Sequence, residues 1–317
     1  MTETLFPLIE PFATGMLDVG AGHSIYWEQS GNLEGIPVLF CHGGPGSSCT
    51  PAHRRFFDPE RYRAILFDQR GCGRSLPLGE TRFNTTWNLI ADMEKLRAQV
   101  GVDRWLLFGG SWGSTLALAY AQSHRHAVLG LVLRGVFLAT QEEVEWFLYG
   151  LRRFVPEAWG NLAVTLNAHE GEGLLEACDR QLVEGRREEA LAAARAWSDY
   201  ESAVVSLGEP AKTASAVTDE NVLARVRVQT HYLMHRCYLD QQPILARMMP
   251  ILALPAIIVQ GRLDMVCPPA TAATLASRWL AAELRMVENA GHLAFNPALA
   301  QALVQALADF ARRLAVQ

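Results

Sequence analysis

The sequence predicts an α/β fold: a mostly parallel central sheet flanked by helices, with a helical cap inserted between two core strands. Three observations lead there. In the first part of the chain, short continuous apolar runs bounded by turn residues alternate with helical stretches, the pattern of strands buried on both faces of a parallel sheet. The alternation stops between about Val136 and Arg247, where the chain is rich in Ala, Leu, Glu and Arg. It then resumes with two apolar runs and a closing amphipathic helix.

Met16–Val19 and Ser24–Glu28 read as a hairpin turning at Gly20–Gly22. Pro37–Cys41, Arg63–Phe67, Arg104–Phe108 and Leu129–Leu133 read as buried strands. Helical stretches at Asn88–Val100 and Trp112–Ser123 separate the later ones, as right-handed crossovers require. Arg186–Ser198 is strong helix-forming material. Strands return at Pro255–Gln260 and Leu284–Val287. The last helix, Pro297–Leu314, repeats Leu299, Leu303, Leu307, Phe310 and Leu314 at helical spacing, with Asn296 as cap and Pro297 in the first turn. No repeat or low-complexity linker interrupts the chain. Residues 137–246 are too many for a structureless loop, so they are expected to form a structured cap on a discontinuous core of residues 1–136 and 247–317.

The chain has 317 residues, about twice the length of a typical domain. Half are hydrophobic and 19% charged, enough to bury a sizeable core and to exclude intrinsic disorder. Lys and Arg number 28 against 33 Asp and Glu, a net charge of −5, which favours neither nucleic acid nor an anionic membrane. No apolar run reaches the ~18 residues of a membrane span, and the N-terminus lacks the pattern of a signal peptide. The six cysteines have no paired C-x-x-C spacing, against a disulfide framework or zinc site. A soluble cytoplasmic protein is the expectation.

Gly109-Gly110-Ser111-Trp112-Gly113 fits G-x-S-x-G, follows an apolar strand and precedes a helix. That context makes it a nucleophile elbow, which presents the serine Oγ at a helix N-terminus. A serine nucleophile needs a base, and the base an orienting carboxylate. Asp264 and His292 each follow a strand, in the chain order Ser, Asp, His. Loops after parallel strands collect at one sheet edge, so the three are expected to meet as a triad. Oxyanion donors are expected from the backbone N–H of Trp112 and from Gly44 in the loop His42-Gly43-Gly44-Pro45-Gly46. His231 and His235 lie four apart, but Tyr232 stands where a zinc-binding HExxH helix carries Glu; His124 and His126 read as surface. No metal or cofactor is expected. Cys267 reads as a small buried hydrophobe.

His42–Gly46, then Asp68-Gln69-Arg70-Gly71-Cys72-Gly73-Arg74-Ser75, then Gly109–Ser114 resemble the proline iminopeptidases, serine peptidases of α/β-hydrolase fold. The likeness continues through Gly261–Pro268 and Ala290–His292 and spans nearly the whole chain. The resemblance implies the triad Ser111, Asp264 and His292, and a helical cap whose acidic residues bind the free amine of the substrate. One such acid falls on Glu201. Trp197, four residues earlier, shares its helix face, which suggests a pocket with an apolar wall and an anionic contact. Phe137 is a candidate wall for a proline ring. The chain departs from the family pattern in Arg227–Leu233, where Gln229 stands in place of a second acid; a neutral amide still accepts a hydrogen bond from an ammonium, without charge assistance. Leu148 stands where members tend to carry tyrosine. The implied activity is release of an N-terminal residue, proline favoured, from a small peptide or an amino-acid amide or ester. Two alternatives stay open: an esterase or amidase on neutral acyl substrates, and a binding protein of hydrolase fold without activity.

Overall fold

The computed structural model describes residues 5–207 and 218–315. Eight strands make one sheet in the order β1-β2-β4-β3-β5-β6-β7-β8: β1 (Ala13–Gly20), β2 (His23–Gly31), β3 (Ile36–Cys41), β4 (Tyr62–Phe67), β5 (Trp105–Ser111), β6 (Val128–Val136), β7 (Ala256–Gly261) and β8 (Ala282–Val287). β1, β2 and β4 pair antiparallel, and every pairing from β4 to β8 is parallel. The mostly parallel sheet expected from the sequence is therefore present, with the hairpin at its edge. The hairpin turns through Gly20 and Gly22 at φ 84° and 78°, where glycine carries no steric cost. Exposure alternates along β1 but not along β3, β5 or β7. Those central strands are covered on both faces, which is why they read as continuous apolar runs.

Helices α1 (Pro51–Arg54), α2 (Thr86–Gln99), α3 (Trp112–Ser123), α9 (Pro269–Ser277) and α10 (Pro297–Ala315) belong to the core; α4 (Gln141–Glu145), α5 (Pro156–Leu166), α6 (Leu174–Glu184), α7 (Arg187–Val205) and α8 (Asp219–Met234) lie between β6 and β7. One sheet face packs on α2, α3 and α9 through Leu89, Met93, Leu96, Leu116 and Leu275. The other packs on α10 through Leu299, Leu303, Leu307 and Phe310, together with Phe56 and Phe57. Asn296 Oδ1 accepts from the N–H groups of Ala298 and Leu299, capping α10 as its sequence suggests. α1 and α9 are not expected from the sequence: both are short, both start at a proline, and neither shows a clear apolar stripe.

Among the described residues, the stretch between β6 and β7 contains no strand. Its helices gather a separate apolar cluster that includes Leu162, Leu166, Cys178, Leu182, Trp197, Tyr200 and Val226. α7 contributes Ala190, Ala193, Ala194, Trp197, Tyr200 and Val204 at spacings of three and four, the single buried stripe of an amphipathic helix. This body stands over the sheet edge where β3, β5, β7 and β8 end, and a pocket of about 390 Å³ lies between the two.

Candidate active site

β5 ends at Ser111 and α3 begins at Trp112, so the serine occupies the strand-to-helix turn. Its φ is 55°, a left-handed backbone that costs a non-glycine residue on the order of 1–3 kcal/mol. The flanking glycines are required by close approach. A Cβ on Gly109 would come within 2.3 Å of the Gly113 carbonyl oxygen, and one on Gly113 within 2.0 Å of that of Cys41. Ser114 Oγ donates to the Ser111 carbonyl at 2.7 Å and ties down the first turn of α3.

Asp264 follows β7 and His292 follows β8. Their loops touch so closely that a Cβ on Gly261 would lie 2.4 Å from the Gly291 oxygen. His292 Nδ1 lies 2.9 and 3.0 Å from the Asp264 carboxylate oxygens. Because a carboxylate accepts, the imidazole proton sits on Nδ1, and Nε2 is left as the acceptor. Asp264 Oδ1 also accepts from the N–H groups of Val266 and Cys267 at 3.1 and 2.9 Å. Gln260 Nε2 holds the Cys267 carbonyl at 2.9 Å. Gly135, at φ 50°, leaves room for the pair: a Cβ there would stand 3.1 Å from Asp264 Oδ2 and from His292 Cε1.

Ser111 and His292 line the same pocket. Arg134 Nη1 stands 3.4 Å from His292 Nε2, and among the described residues no hydrogen bond joins Nε2 to Ser111 Oγ. Cys267 lines the pocket beside Ser111. Burial pushes its thiol well above the ordinary range, helped by the Asp264 and Glu143 carboxylates and opposed by Arg134 and the Ser111 hydroxyl. It is protonated and inert, in keeping with a buried small hydrophobe.

The loop after β3 faces the elbow. Gly43 and Gly44 line the pocket, and a Cβ on Gly43 would be 3.5 Å from that of Ser111. Gly44 has φ 113°, and a Cβ there would meet the Gly46 nitrogen at 2.6 Å. The Trp112 indole donates to Gln69 Oε1 at 2.8 Å, and Gln69 Nε2 donates to the His42 carbonyl at 2.9 Å. The Gln69 backbone N–H donates to His42 Nε2 at 3.0 Å. One glutamine thus links the helix that starts at Trp112 to the loop that carries Gly44. Asp68 holds the other limb of that loop, accepting from the Cys49 N–H at 2.8 Å and from the Arg74 N–H and Nε at 2.9 and 2.7 Å. The stretch Asp68–Ser75 therefore acts as scaffold for the Gly-rich loop.

α7 and α8 form the opposite wall. Glu201 lines it; Oε1 accepts from Gln229 Nε2 at 2.8 Å, and Oε2 lies 3.2 Å from Arg225 Nη1. Phe137 lines the pocket as expected, with Val144 and Phe147 beside it. One expectation is corrected here. Trp197 is fully buried and does not line the pocket. It shares a helix face with Glu201, but one turn of helix carries it into the cluster of the inserted helices, against Phe147. Gln229 does line the pocket, yet its oxygen accepts from Trp197 Nε1 at 2.9 Å and its amide donates to Glu201. It orients the carboxylate, and one lone pair of its oxygen is already taken by the indole.

Residues 36–297 match the family model described as alpha/beta hydrolase fold. A proline iminopeptidase of Neisseria gonorrhoeae is 43% identical over 98% of this chain and 100% of its own length. One of Arabidopsis thaliana is 43% identical over 96% of this chain and 81% of its own. The chain belongs to the proline iminopeptidase family. Among solved structures, a proline iminopeptidase-related protein of Thermus thermophilus superposes with a TM-score of 0.57 at 23% identity, over 95% of this chain and 98% of that one, a likeness of fold.

For a member of the proline iminopeptidase family, the pocket holds several residues that the motifs do not announce. Arg134 sits within the apolar run of β6, where a lone arginine carries no recognisable signal. Arg225 is one of many arginines in the inserted helices. Glu143 lines the pocket and accepts from the N–H groups of Leu138 and Thr140 at 3.1 and 2.9 Å; its signal is the capping box Thr140–Glu143. Burial raises its pKa. Leu148 is buried among the inserted helices, away from the pocket. His231 Nε2 meets the Asn84 carbonyl at 3.0 Å, and His235 stacks on Tyr238. Ligand atoms of Glu94, His124 and His126 do lie within 4.8 Å of one another. Both Glu94 oxygens, however, already accept from Arg97, at 2.8 and 2.9 Å.

Proposed function

We propose that this chain is a serine aminopeptidase that releases the N-terminal residue of small peptides, proline favoured, through an acyl-enzyme on Ser111. The observation that carries the reading is the Asp264–His292 bond at 2.9 Å, behind a pocket that Ser111 and Glu201 both line. Ser111 Oγ attacks the carbonyl of the first residue. His292 Nε2 takes its proton and returns it to the leaving nitrogen, while Asp264 holds the imidazole and stabilises its cation. The N–H groups of Gly44 and Trp112 receive the oxyanion. Water then releases the acyl group by the same steps in reverse. Glu201 pairs with the free amine, which restricts attack to the first residue, and Phe137 supports the ring. Residues 137–246 act as the cap and residues 1–136 and 247–317 as the catalytic core; the separate apolar cluster of the inserted helices supports that division. Six free, buried cysteines support a reducing, cytoplasmic setting, and no described helix is long and apolar enough to cross a membrane.

One observation favours the esterase or amidase alternative: Glu201 already has a cation, Arg225, at 3.2 Å. The test compares prolyl, alanyl and N-acetylprolyl p-nitroanilides with a p-nitrophenyl ester, alongside fluorophosphonate labelling of wild type and Ser111→Ala. Loss of turnover on blocking the amine is expected. Equal rates with and without the block favour the esterase, and an unlabelled wild type leaves a binding protein.

A further inference from the structure

The buried cations of the core come with anions. Arg54 pairs with Glu28 at 2.7 Å and Arg70 with Asp92 at 2.6 Å. Arg134 is different. It projects from the end of β6, opposite Gly110 in β5 and Val259 in β7. Its side chain crosses Gly110 so tightly that a Cβ there would lie 2.4 Å from Arg134 Nε. Nη1 donates to the His292 carbonyl at 2.8 Å and stands 3.4 Å from His292 Nε2. Among the described residues, no carboxylate lies within 4 Å of the guanidinium. The group is half-buried and lines the pocket wall that also holds Phe40, His53, Phe108 and Leu293. A guanidinium withdrawn from water without an anion is costly, and its fork of donors matches a carboxylate.

Its position relative to the reaction decides which carboxylate. In the mechanism above, the leaving nitrogen must meet His292 Nε2, since that atom returns the proton. In a free dipeptide, the carboxylate of the second residue is two bonds from that nitrogen, a span of roughly 3 Å. Arg134 Nη1, 3.4 Å from Nε2, is within reach of it. In a longer peptide the same place holds a neutral carbonyl, and in an arylamide it holds no carboxylate at all. We propose that Arg134 is a carboxylate-binding residue for the departing amino acid, which makes free dipeptides the preferred substrates. The inference rests on the roles assigned above to Ser111 and His292.

The test measures kcat/KM for prolyl-alanine, prolyl-alanine amide and prolyl p-nitroanilide with wild type, Arg134→Met and Arg134→Lys. Wild type should prefer the dipeptide over its amide by about tenfold or more. Arg134→Met should bring that ratio near one, and Arg134→Lys should restore part of it. Arg134 also supports the His292 carbonyl, so the p-nitroanilide rate sets each variant's baseline and the ratio is the readout. A second measurement needs no variant: N-acetylglycine should inhibit p-nitroanilide hydrolysis by wild type, and N-acetylglycinamide should not. A wild-type ratio near one, a ratio unchanged in Arg134→Met, or equal inhibition by acid and amide overturns the proposal. Failure of wild type on every free-amine substrate while Ser111 still labels overturns the aminopeptidase reading instead.

Discussion

Arg225 Nη1 stands 3.2 Å from Glu201 Oε2, on the wall of the pocket opposite Ser111. The carboxylate assigned to the substrate's ammonium thus already has a cation beside it. Arg225 is 31% exposed and also donates to Ser198 Oγ at 2.6 Å, so it keeps a partner if the ammonium displaces it. A partly exposed pair of this kind is worth up to about 1 kcal/mol, or roughly a fivefold change in binding. Arg225→Met should therefore lower KM for prolyl p-nitroanilide by about threefold to fivefold with kcat little changed, and leave KM for a p-nitrophenyl ester unchanged. Steady-state kinetics on the two substrates check this; an equal shift in both would remove Arg225 from amine recognition.

Trp197 acts on the same carboxylate at one remove. Its indole fixes Gln229 Oε1 at 2.9 Å, which aims Gln229 Nε2 at Glu201. Trp197→Phe keeps most of the apolar volume but leaves a buried acceptor unpaired, a loss of about 1–3 kcal/mol. The expected outcome is a lower unfolding midpoint in urea, and a KM that rises severalfold for free-amine substrates but not for esters. Equal KM changes in both classes would mean that Trp197 serves the fold alone.

The triad candidates were legible because each lies where chain order and strand ends leave little choice: Ser111 on a Gly-flanked turn, Asp264 and His292 in loops after apolar strands. The central strands were legible for the same physical reason, burial on both faces. Trp197 was misread because i,i+4 spacing identifies a common helix face but not how far along that face the pocket extends. Arg134 was invisible because its meaning comes from Gly110 on the neighbouring strand, a relation of register that local pattern does not encode. The role of Gln69 depends on two contacts, Trp112 and His42, that lie 43 and 27 residues away in the chain.

Gln69 offers a test of the oxyanion assignment that leaves its backbone donors untouched. Gln69→Leu removes the side-chain bonds to the Trp112 indole and the His42 carbonyl, while the backbone N–H can still reach His42 Nε2. Gly44 and Trp112 would then be held less rigidly against each other. Loss of alignment at oxyanion donors appears in the transition state more than in the ground state. The variant should lose about tenfold or more in kcat with KM changed by less than about threefold. A rise in KM at constant kcat would argue against this role.

Acid stability should report on the imidazoles beneath the pocket. Burial holds His42, His53 and His231 below their ordinary pKa. His53 is held down to about 4 from an ordinary 6.5, chiefly by burial and further by His42 and Arg134, with Asp68 and Glu28 opposing. The folded protein therefore keeps His53 neutral where the unfolded chain binds a proton, and stability falls as pH drops from about 6.5 to about 4. Buried Asp92 and half-buried Glu143 have raised pKa values and act in the opposite direction, so His53 must be isolated by difference. His53→Phe keeps the ring that stacks on Phe40 at 4.6 Å and removes the titration. Its Tm should gain on that of wild type as pH falls through this window and stay at a constant offset above pH 7. A constant offset throughout would mean that His53 titrates alike in the folded and unfolded chain.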